Sequence, residues 1–344
     1  MASVKLERVR LRGLVCCVPK ATISNLDCAE EKRSERERLV RNIGIHTRRL
    51  CYPWQCFSDL AKTAAERLLD AVGWKREEVD ALIVVTQSPD YPIPATAIIL
   101  QERLKLATTT IAYDINLGCS GYPFGIYTVG SMLSSGGIRK ALLLVGDRCA
   151  SINDPIFSDC GTATALEFDP DAPPITFDMH SDGSGYRAII LPVGGHREPT
   201  QIHHLVAHKD AEGEWKRDVD LILDGTAVLN FSTQQIPSAL RSLCEYASTP
   251  IESIDYFVLH QANRMINETI RKKLQLAPEK VPSTLYDFGN TSSASIPLTM
   301  TVRLREALSS AKATVLMSGF GIGLSWGSCI VRTEALVMPE LVEV

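Results

Sequence analysis

Short apolar runs of strand length alternate with stretches of helical periodicity along most of the chain. The strand-like runs, each rich in Val, Ile, Leu or Ala, lie at residues 81–86, 111–115, 140–146, 255–259 and 312–319. Helical patterns stand beside them, for example at residues 60–72 and 120–133. This alternation predicts an α/β protein in which helices are layered on parallel sheets.

The order of elements in the first half of the chain returns in the second half. Residues 312–319 repeat the plan of residues 140–146, in which a lysine is followed by an apolar run and a glycine. The repetition is consistent with an internal duplication, although any α/β protein shows similar echoes. Residues 169–174 contain three prolines and predict a linker, which divides the chain into halves at 1–172 and 173–344.

Two polar segments interrupt this pattern. Residues 25–41 are dense in charge and predict a solvated helix, whereas residues 196–218, rich in His, Lys and Glu, predict a surface excursion.

The chain of 344 residues is 45% hydrophobic and 22% charged, the balance of a globular protein. Its net charge of −4 provides no field that would draw it to nucleic acid or to an anionic membrane.

The sequence gives no sign of a membrane span or of export. No apolar run approaches the ~20 residues that a spanning helix needs, and the first residues carry charges where a signal peptide is apolar. Ten cysteines are scattered without any C-x-x-C pair. We therefore expect reduced thiols and a cytoplasmic protein.

Cys119 lies where the strand-like run 111–115 gives way to an apolar helical pattern. A thiol at the first turn of a helix faces unpaired N–H groups and the positive end of the helix dipole, which favour a thiolate. Because the helix that follows is apolar on nearly all sides, we expect it to be buried in the centre of the molecule. The alternative is a free buried cysteine without a chemical role, which is the commonest fate of that residue.

Two further polar residues occupy similar junctions. His260 ends the run 255–259 and opens a helical pattern predicted at 261–274, and Asn290 lies in a turn of small residues before another helix. Side chains at the carboxyl ends of parallel strands point into the ligand crevice of α/β folds. One nucleophile with two hydrogen-bond donors to an oxyanion suits acyl transfer, although either residue alone is a weak signal.

The glycine-rich stretch 319–327 follows a strand but continues as a second strand, so it is a poor dinucleotide-binding motif. Close approach of its backbone to a ligand is the better interpretation. The histidines show no metal-binding spacing, and we expect no metal.

Four segments together resemble the signature blocks of β-ketoacyl-acyl-carrier-protein synthase III, in order and over about residues 11–332. They are residues 114–121, 254–263, 288–297 and 320–327. The resemblance implies a thiolase-like, five-layered αβαβα fold of two duplicated halves and a homodimer. It also implies coenzyme A or acyl-carrier-protein thioesters as substrates, acyl-carrier protein as a partner, and no cofactor.

The same resemblance implies roles for the three junction residues. Cys119 would accept an acyl group from a thioester, and His260 and Asn290 would hold malonyl-carrier protein while it loses carbon dioxide. The carbanion that results would attack the acyl group on Cys119.

The resemblance also implies the surroundings of these residues. The backbone N–H groups of Cys119 and Ile322 would form an oxyanion hole, Phe320 would lie beside the cysteine, and Ile93 is assigned to the tunnel.

The chain departs from the family where coenzyme A adenine is usually clamped. Arg38 stands in place of the clamping tryptophan, and the stretch between residues 154 and 159 that carries the clamping arginine is shortened. This difference predicts a carrier-protein-bound or unusual acyl donor. The block at residues 157–162 is altered too, which suits a specialised, secondary-metabolic enzyme.

Carrier proteins are acidic, so a basic docking patch is expected beside the tunnel mouth. Arg271, Lys272 and Lys273 lie on the helix after His260, and Arg264 adds a fourth charge. A solvated helix face explains the same residues equally well.

Two other functions remain open from the sequence. One is an acyltransferase on the same scaffold that moves the acyl group to an alcohol or amine without decarboxylation. The other is a non-catalytic partner subunit, against which the complete set of Cys119, His260 and Asn290 argues.

Overall fold

The computed structural model describes residues 3–152, 154–210, 213 and 215–344. The described strands are β1 (Ser3–Leu6), β2 (Val9–Val18), β3 (Thr22–Ser24), β4 (Thr47–Arg49), β5 (Ala81–Val85), β6 (Ile111–Ile115), β7 (Lys140–Asp147), β8 (Cys160–Phe168), β9 (Ile175–Ser181), β10 (Ile189–Ile190), β11 (His208–Lys209), β12 (Trp215–Lys216), β13 (Ile222–Leu223), β14 (Tyr256–Leu259), β15 (Lys312–Gly321), β16 (Ser325–Glu334) and β17 (Val342–Glu343). The described α-helices are α1 (Arg33–Ile43), α2 (Phe57–Val72), α3 (Thr96–Arg103), α4 (Gly121–Ser134), α5 (Gly225–Ala247), α6 (Arg264–Lys273), α7 (Leu285–Phe288), α8 (Ser295–Arg303) and α9 (Arg305–Ser310).

Two large sheets form the frame of the molecule. The first has the strand order β17-β2-β8-β7-β5-β6, and the second has the order β1-β9-β16-β15-β14. Parallel pairing joins β5 to β6 and β7, and β14 to β15, whereas β8 and β16 run antiparallel to their neighbours. The prediction of parallel sheets was therefore wrong in part, because β16 returns from β15 through a short turn rather than through a crossover helix.

Five layers follow from the packing of helices on these sheets. Helices α2 and α3 cover the outer face of the first sheet, α4 and α8 lie between the two sheets, and α5 and α6 cover the outer face of the second. Three apolar clusters fill the spaces between the layers. This arrangement confirms the predicted αβαβα fold and the predicted central position of the apolar helix, α4.

Glycines allow α4 to lie close to both sheets. A Cβ added at Gly125 would lie 2.7 Å from the Leu143 side chain of the first sheet, and one at Gly130 would lie 2.9 Å from Leu6 of the second. The helix axis can therefore approach the strands more closely than a helix with larger residues at these positions could.

The predicted strand positions are confirmed to within a few residues, but two helix predictions need correction. The helix after His260 begins at Arg264 rather than at 261, because the Asn263 side chain accepts a hydrogen bond from the Ile266 N–H (2.9 Å) and caps it there. Helix α1 has no buried residue, as expected of a solvated helix, but it begins at Arg33 and the preceding Asn25 is buried.

The division of the chain at residue 172 stays a prediction. The first strand of the chain joins the second sheet, and the last strand joins the first sheet. Strand β1 pairs with β9 in the second sheet, and β17 pairs with β2 in the first. Residues 169–174 form the connection between β8 and β9. None of the helices in the described ranges has both the length and the hydropathy to cross a membrane.

Candidate active site

Three polar side chains predicted from separate junctions lie in the wall of one cavity of about 70 Å³. Cys119 follows β6 and precedes α4, His260 follows β14, and Asn290 precedes α8. Their side chains are only 6%, 1% and 5% exposed, respectively. Residues of β15, of α5 and α6 and of the loops near them complete the wall, among them Ile156, Phe157, Val228, Ser232, Asn263, Phe320 and Ile322.

The segment at the end of β15 lies directly against Cys119. Gly321 has φ +151°, and a Cβ added there would lie 2.8 Å from the Cys119 Cβ and 3.1 Å from its Sγ. A Cβ at Gly319 would lie 2.8 Å from the Cys119 carbonyl oxygen. The glycine-rich segment therefore lies directly against the cysteine and lines the cavity, and its approach to a ligand stays a prediction.

Burial decides the protonation state of Cys119. It raises the pKa of the thiol to about 11, and the carboxylate of Asp147 adds to this increase. The main-chain N–H groups of Ile322 and of Cys119 itself, together with the Ser292 hydroxyl, lower the pKa but do not outweigh burial. The expectation of a thiolate at the helix N-terminus was therefore wrong, and the resting group is a thiol.

Asp147 is a buried carboxylate that the sequence did not single out. It accepts hydrogen bonds from the Gln87 N–H (2.7 Å), the Thr86 hydroxyl (3.1 Å) and the Ser293 hydroxyl (2.9 Å). Burial raises its pKa, and these donors oppose that effect. Asp147 therefore ties the end of β7 to the turn that follows Asn290.

The His260 ring is held in one orientation by its neighbours. Its Nδ1 lies 2.7 Å from the Ser295 hydroxyl, and the ring packs edge-on against Phe320 with 5.6 Å between centroids. Burial lowers the pKa of the imidazole to about 3, although a hydrogen bond to the main chain of Ser292 opposes the shift. The ring is therefore neutral, and a serine hydroxyl can pair with Nδ1 in either tautomer.

The Asn290 amide is oriented by the turn in which it lies. Its Oδ1 accepts the Ser292 N–H at 2.8 Å, which leaves Nδ2 as the donor of the side chain. The main chain of Asn290 is fixed as well, because its N–H donates to the Ile156 carbonyl (2.9 Å) and its carbonyl accepts the Ser158 N–H (2.9 Å).

A buried arginine holds the segment that pairs with Asn290. Arg48 is 2% exposed and donates to the Asn25 Oδ1 (2.9 Å) and to the carbonyls of Ser151 (2.8 Å) and Phe157 (3.2 Å). A buried guanidinium needs such acceptors. The loop that carries Ile156 supplies two of them and is therefore fixed by the Arg48 side chain. Nothing in the sequence separates Arg48 from the exposed arginines nearby.

Several predicted residues lie elsewhere or have another role. The Ile93 side chain is 85% exposed and does not line the cavity within one chain. Arg271 pairs with Glu268 (2.8 Å) and donates to the Leu276 carbonyl (2.7 Å), so its charge is already engaged. Its place in a docking patch stays a prediction.

The other docking candidates differ in their surroundings. The Arg264 side chain donates to the Arg41 carbonyl, and the Lys273 ammonium donates to the Thr233 carbonyl (2.9 Å). Arg264, Lys272 and Lys273 are all exposed.

In the described part of the chain, His, Cys, Asp and Glu side chains form no group of three that could hold a metal ion.

Comparisons of the sequence with known proteins show which family the chain resembles. The profile for the C-terminal region of 3-oxoacyl-[acyl-carrier-protein (ACP)] synthase III matches residues 244–333, and a second profile of that synthase matches residues 113–183. A putative 3-oxoacyl-[acyl-carrier-protein] synthase 3 of Campylobacter jejuni is 31% identical over 98% of this chain and 97% of its own length. A β-ketoacyl-[acyl-carrier-protein] synthase III of Streptococcus mutans is 31% identical over 92% of this chain and 96% of its own.

A solved structure extends the likeness to three dimensions. The 3-oxoacyl-(acyl-carrier protein) synthase of Burkholderia xenovorans LB400 superposes with a TM-score of 0.92 at 34% identity, covering 99% of both chains. Relatives at this identity span nearly the whole length, and the five-layered fold agrees with them. The chain therefore belongs to the β-ketoacyl-acyl-carrier-protein synthase III family of condensing enzymes.

Proposed function

We propose that the enzyme transfers an acyl group from a thioester to Cys119 and then condenses it with malonyl-acyl-carrier protein, with loss of carbon dioxide. The observation that supports this reaction is the meeting of Cys119, His260 and Asn290 in the wall of one cavity. A thiol, a neutral imidazole and a carboxamide donor are the groups that the two steps need.

The first step forms the acyl-enzyme. Sγ of Cys119 attacks the thioester carbonyl, and the thiol proton passes to the sulfur of the carrier. The oxyanion that develops accepts hydrogen bonds from the N–H groups of Cys119 and Ile322, which already lie within hydrogen-bonding reach of the sulfur. The bond to the carrier sulfur then breaks, and the carrier leaves as its free thiol.

The second step uses His260 and Asn290 as hydrogen-bond donors. The thioester oxygen of the malonyl group accepts hydrogen bonds from the imidazole N–H of His260 and from Nδ2 of Asn290. The bond to the carboxylate breaks, carbon dioxide leaves, and the two donors stabilise the enolate. The enolate carbon attacks the acyl carbon on Cys119, and the cysteine sulfur leaves and regains a proton.

Arg38 in place of a clamping tryptophan supports a preference for carrier-protein donors. Its side chain is exposed on α1. A single exposed arginine does not replace a tryptophan and an arginine that enclose the adenine from two sides. We infer weak coenzyme A binding and docking of acyl-carrier protein beside Lys272, Lys273 and Arg264, whose charges complement an acidic partner.

An exposed sheet edge supports the proposal of a homodimer. Strand β6 is the last strand of the first sheet, and its Ile111 and Tyr113 side chains are exposed together with Ile98 of the neighbouring α3. An apolar edge strand of this kind readily pairs with a second copy. Ile93 lies between β5 and α3, so its role at a tunnel would depend on such a partner.

Three variants and one control separate the two steps. Cys119→Ser should lose both the acyl adduct and turnover, whereas Cys149→Ser should keep them. His260→Ala and Asn290→Ala should still form the adduct but lose condensation by ~100-fold or more, because each removes a donor to the enolate. Intact-protein mass spectrometry and release of labelled carbon dioxide measure the steps separately. Decarboxylation at the wild-type rate in both alanine variants would contradict the donor roles of His260 and Asn290, whereas no release of labelled carbon dioxide by the wild type would favour the acyltransferase without decarboxylation.

The raised pKa of Cys119 predicts the pH dependence of its alkylation. With a pKa of about 11, the thiolate fraction rises as pH rises and is nearly complete only above that pH. The rate of alkylation by iodoacetamide without substrate should therefore climb about tenfold per pH unit from 7 to 10. Mass spectrometry follows the adduct, and Cys119→Ser corrects for the other thiols. A plateau reached near pH 7 would mean a preformed thiolate.

The donor preference is tested with one acyl group on both carriers. Acylation from coenzyme A should be about tenfold or more slower than from carrier protein, because stacking on adenine is lost. Changing Lys272 and Lys273 together to Glu should slow only the carrier-protein reaction. Lys75→Glu, on the opposite layer, serves as the control. Micromolar affinity for coenzyme A, without any preference for carrier protein, contradicts the inference.

Sedimentation equilibrium tests the homodimer. The wild-type protein should sediment at twice its 37.8 kDa, and Ile111→Lys should shift it toward monomer by placing a charge on the β6 edge. Ile202→Lys, at another exposed isoleucine, should leave the mass unchanged. A wild-type monomer at micromolar concentration would rule the proposal out.

A further inference from the structure

The wall of the active-site cavity contains a serine hydroxyl that no described residue satisfies. Ser232 is fully buried on α5, and its Oγ lacks a hydrogen-bond partner among the described residues. Serine and threonine within helices usually bond to the carbonyl one turn back, and the neighbouring Thr233 does so with Leu229 (2.8 Å). The Ser232 hydroxyl makes no such bond and remains available to a group in the cavity.

Helix α5 places Ser232 at the deep end of the cavity. Gly225, Val228 and Ser232 line the wall at spacings of three and four residues, which put them on one face of the helix. Gly225 is exposed, Val228 is half-buried and Ser232 is fully buried. Seven residues of helix span about 10 Å, so this face leads from the mouth inward.

The other amide and imidazole side chains in the wall are already engaged. The Asn263 Oδ1 accepts the Ile266 N–H (2.9 Å), the Asn290 Oδ1 accepts the Ser292 N–H (2.8 Å), and the His260 Nδ1 pairs with the Ser295 hydroxyl (2.7 Å). Cys119, His260 and Asn290 serve the reacting carbonyls in the proposed mechanism. Ser232 is therefore the polar group left for a part of the substrate that does not react.

We infer that Ser232 is a specificity-determining residue that favours a short acyl group carrying an oxygen, either a hydroxyl or a keto group. A serine hydroxyl can donate to a carbonyl or accept from an alcohol. An alkyl chain would cover the hydroxyl without pairing it, and leaving a buried polar group unpaired is costly. The small cavity, of about 70 Å³, limits the chain length. The inference rests on acylation of Cys119, as proposed above.

The test compares two acyl groups of equal length on the same carrier. Acylation of Cys119 by 3-hydroxybutyryl and butyryl thioesters is followed by intact-protein mass spectrometry in the wild type, Ser232→Ala and Thr233→Ala. The wild type should favour the hydroxyacyl group by about tenfold, the factor that corresponds to ~1.4 kcal/mol. Ser232→Ala should remove that preference, and Thr233→Ala should keep it. Because each ratio is measured within one protein, a partly unfolded variant does not distort it.

Other outcomes overturn the inference in distinguishable ways. If Ser232 binds the pantetheine arm shared by both donors, Ser232→Ala slows both reactions equally and leaves the ratio unchanged. A wild type that is acylated by both groups without preference also contradicts a selective role for Ser232, while acylation of Cys119 itself stands. If no thioester in the panel acylates Cys119, the proposed function fails together with the inference.

Discussion

The site depends on the contact between Gly321 and Cys119, because it joins elements that are distant in sequence. Cys119 leads into the central helix from the first sheet, and Gly321 ends a strand of the second. Only a residue without a side chain can lie this close, since a Cβ at Gly321 would overlap the cysteine. The contact brings the Ile322 N–H to the sulfur, so the proposed oxyanion hole forms only when the two sheets are packed on α4.

The burial that this packing imposes determines the electrostatics. It keeps the thiol protonated and the imidazole neutral, with pKa values of about 11 and about 3. Ionic forms therefore arise only as bonds form to substrate, when fixed N–H and amide donors stabilise them in a site with little water. Asp147, Ser292 and Ser295 hold those donors in place through hydrogen bonds that are themselves buried.

The sequence predicts the large elements because burial imposes regular patterns on them. The apolar runs that end at Ile115 and Leu259 mark two of the junctions where the cavity lies, and the resemblance assigns roles there. Arg48, Asp147 and Ser232 could not be found in this way. Each is a single polar residue whose burial follows from tertiary contacts, and each lies outside the segments on which the resemblance depends. The protonation state of Cys119 was missed for the same reason, since a helix N-terminus is visible in sequence but desolvation is not.

The central claim is that an acyl group held on Cys119 is consumed by a decarboxylating condensation. A single-turnover experiment tests it most directly: the isolated acyl-enzyme is mixed with malonyl-carrier protein labelled in its free carboxylate. The account predicts that the adduct leaves Cys119 as one equivalent of labelled carbon dioxide and one of 3-oxoacyl-carrier protein appear. An adduct that persists, or that is transferred without release of labelled carbon dioxide, would contradict it.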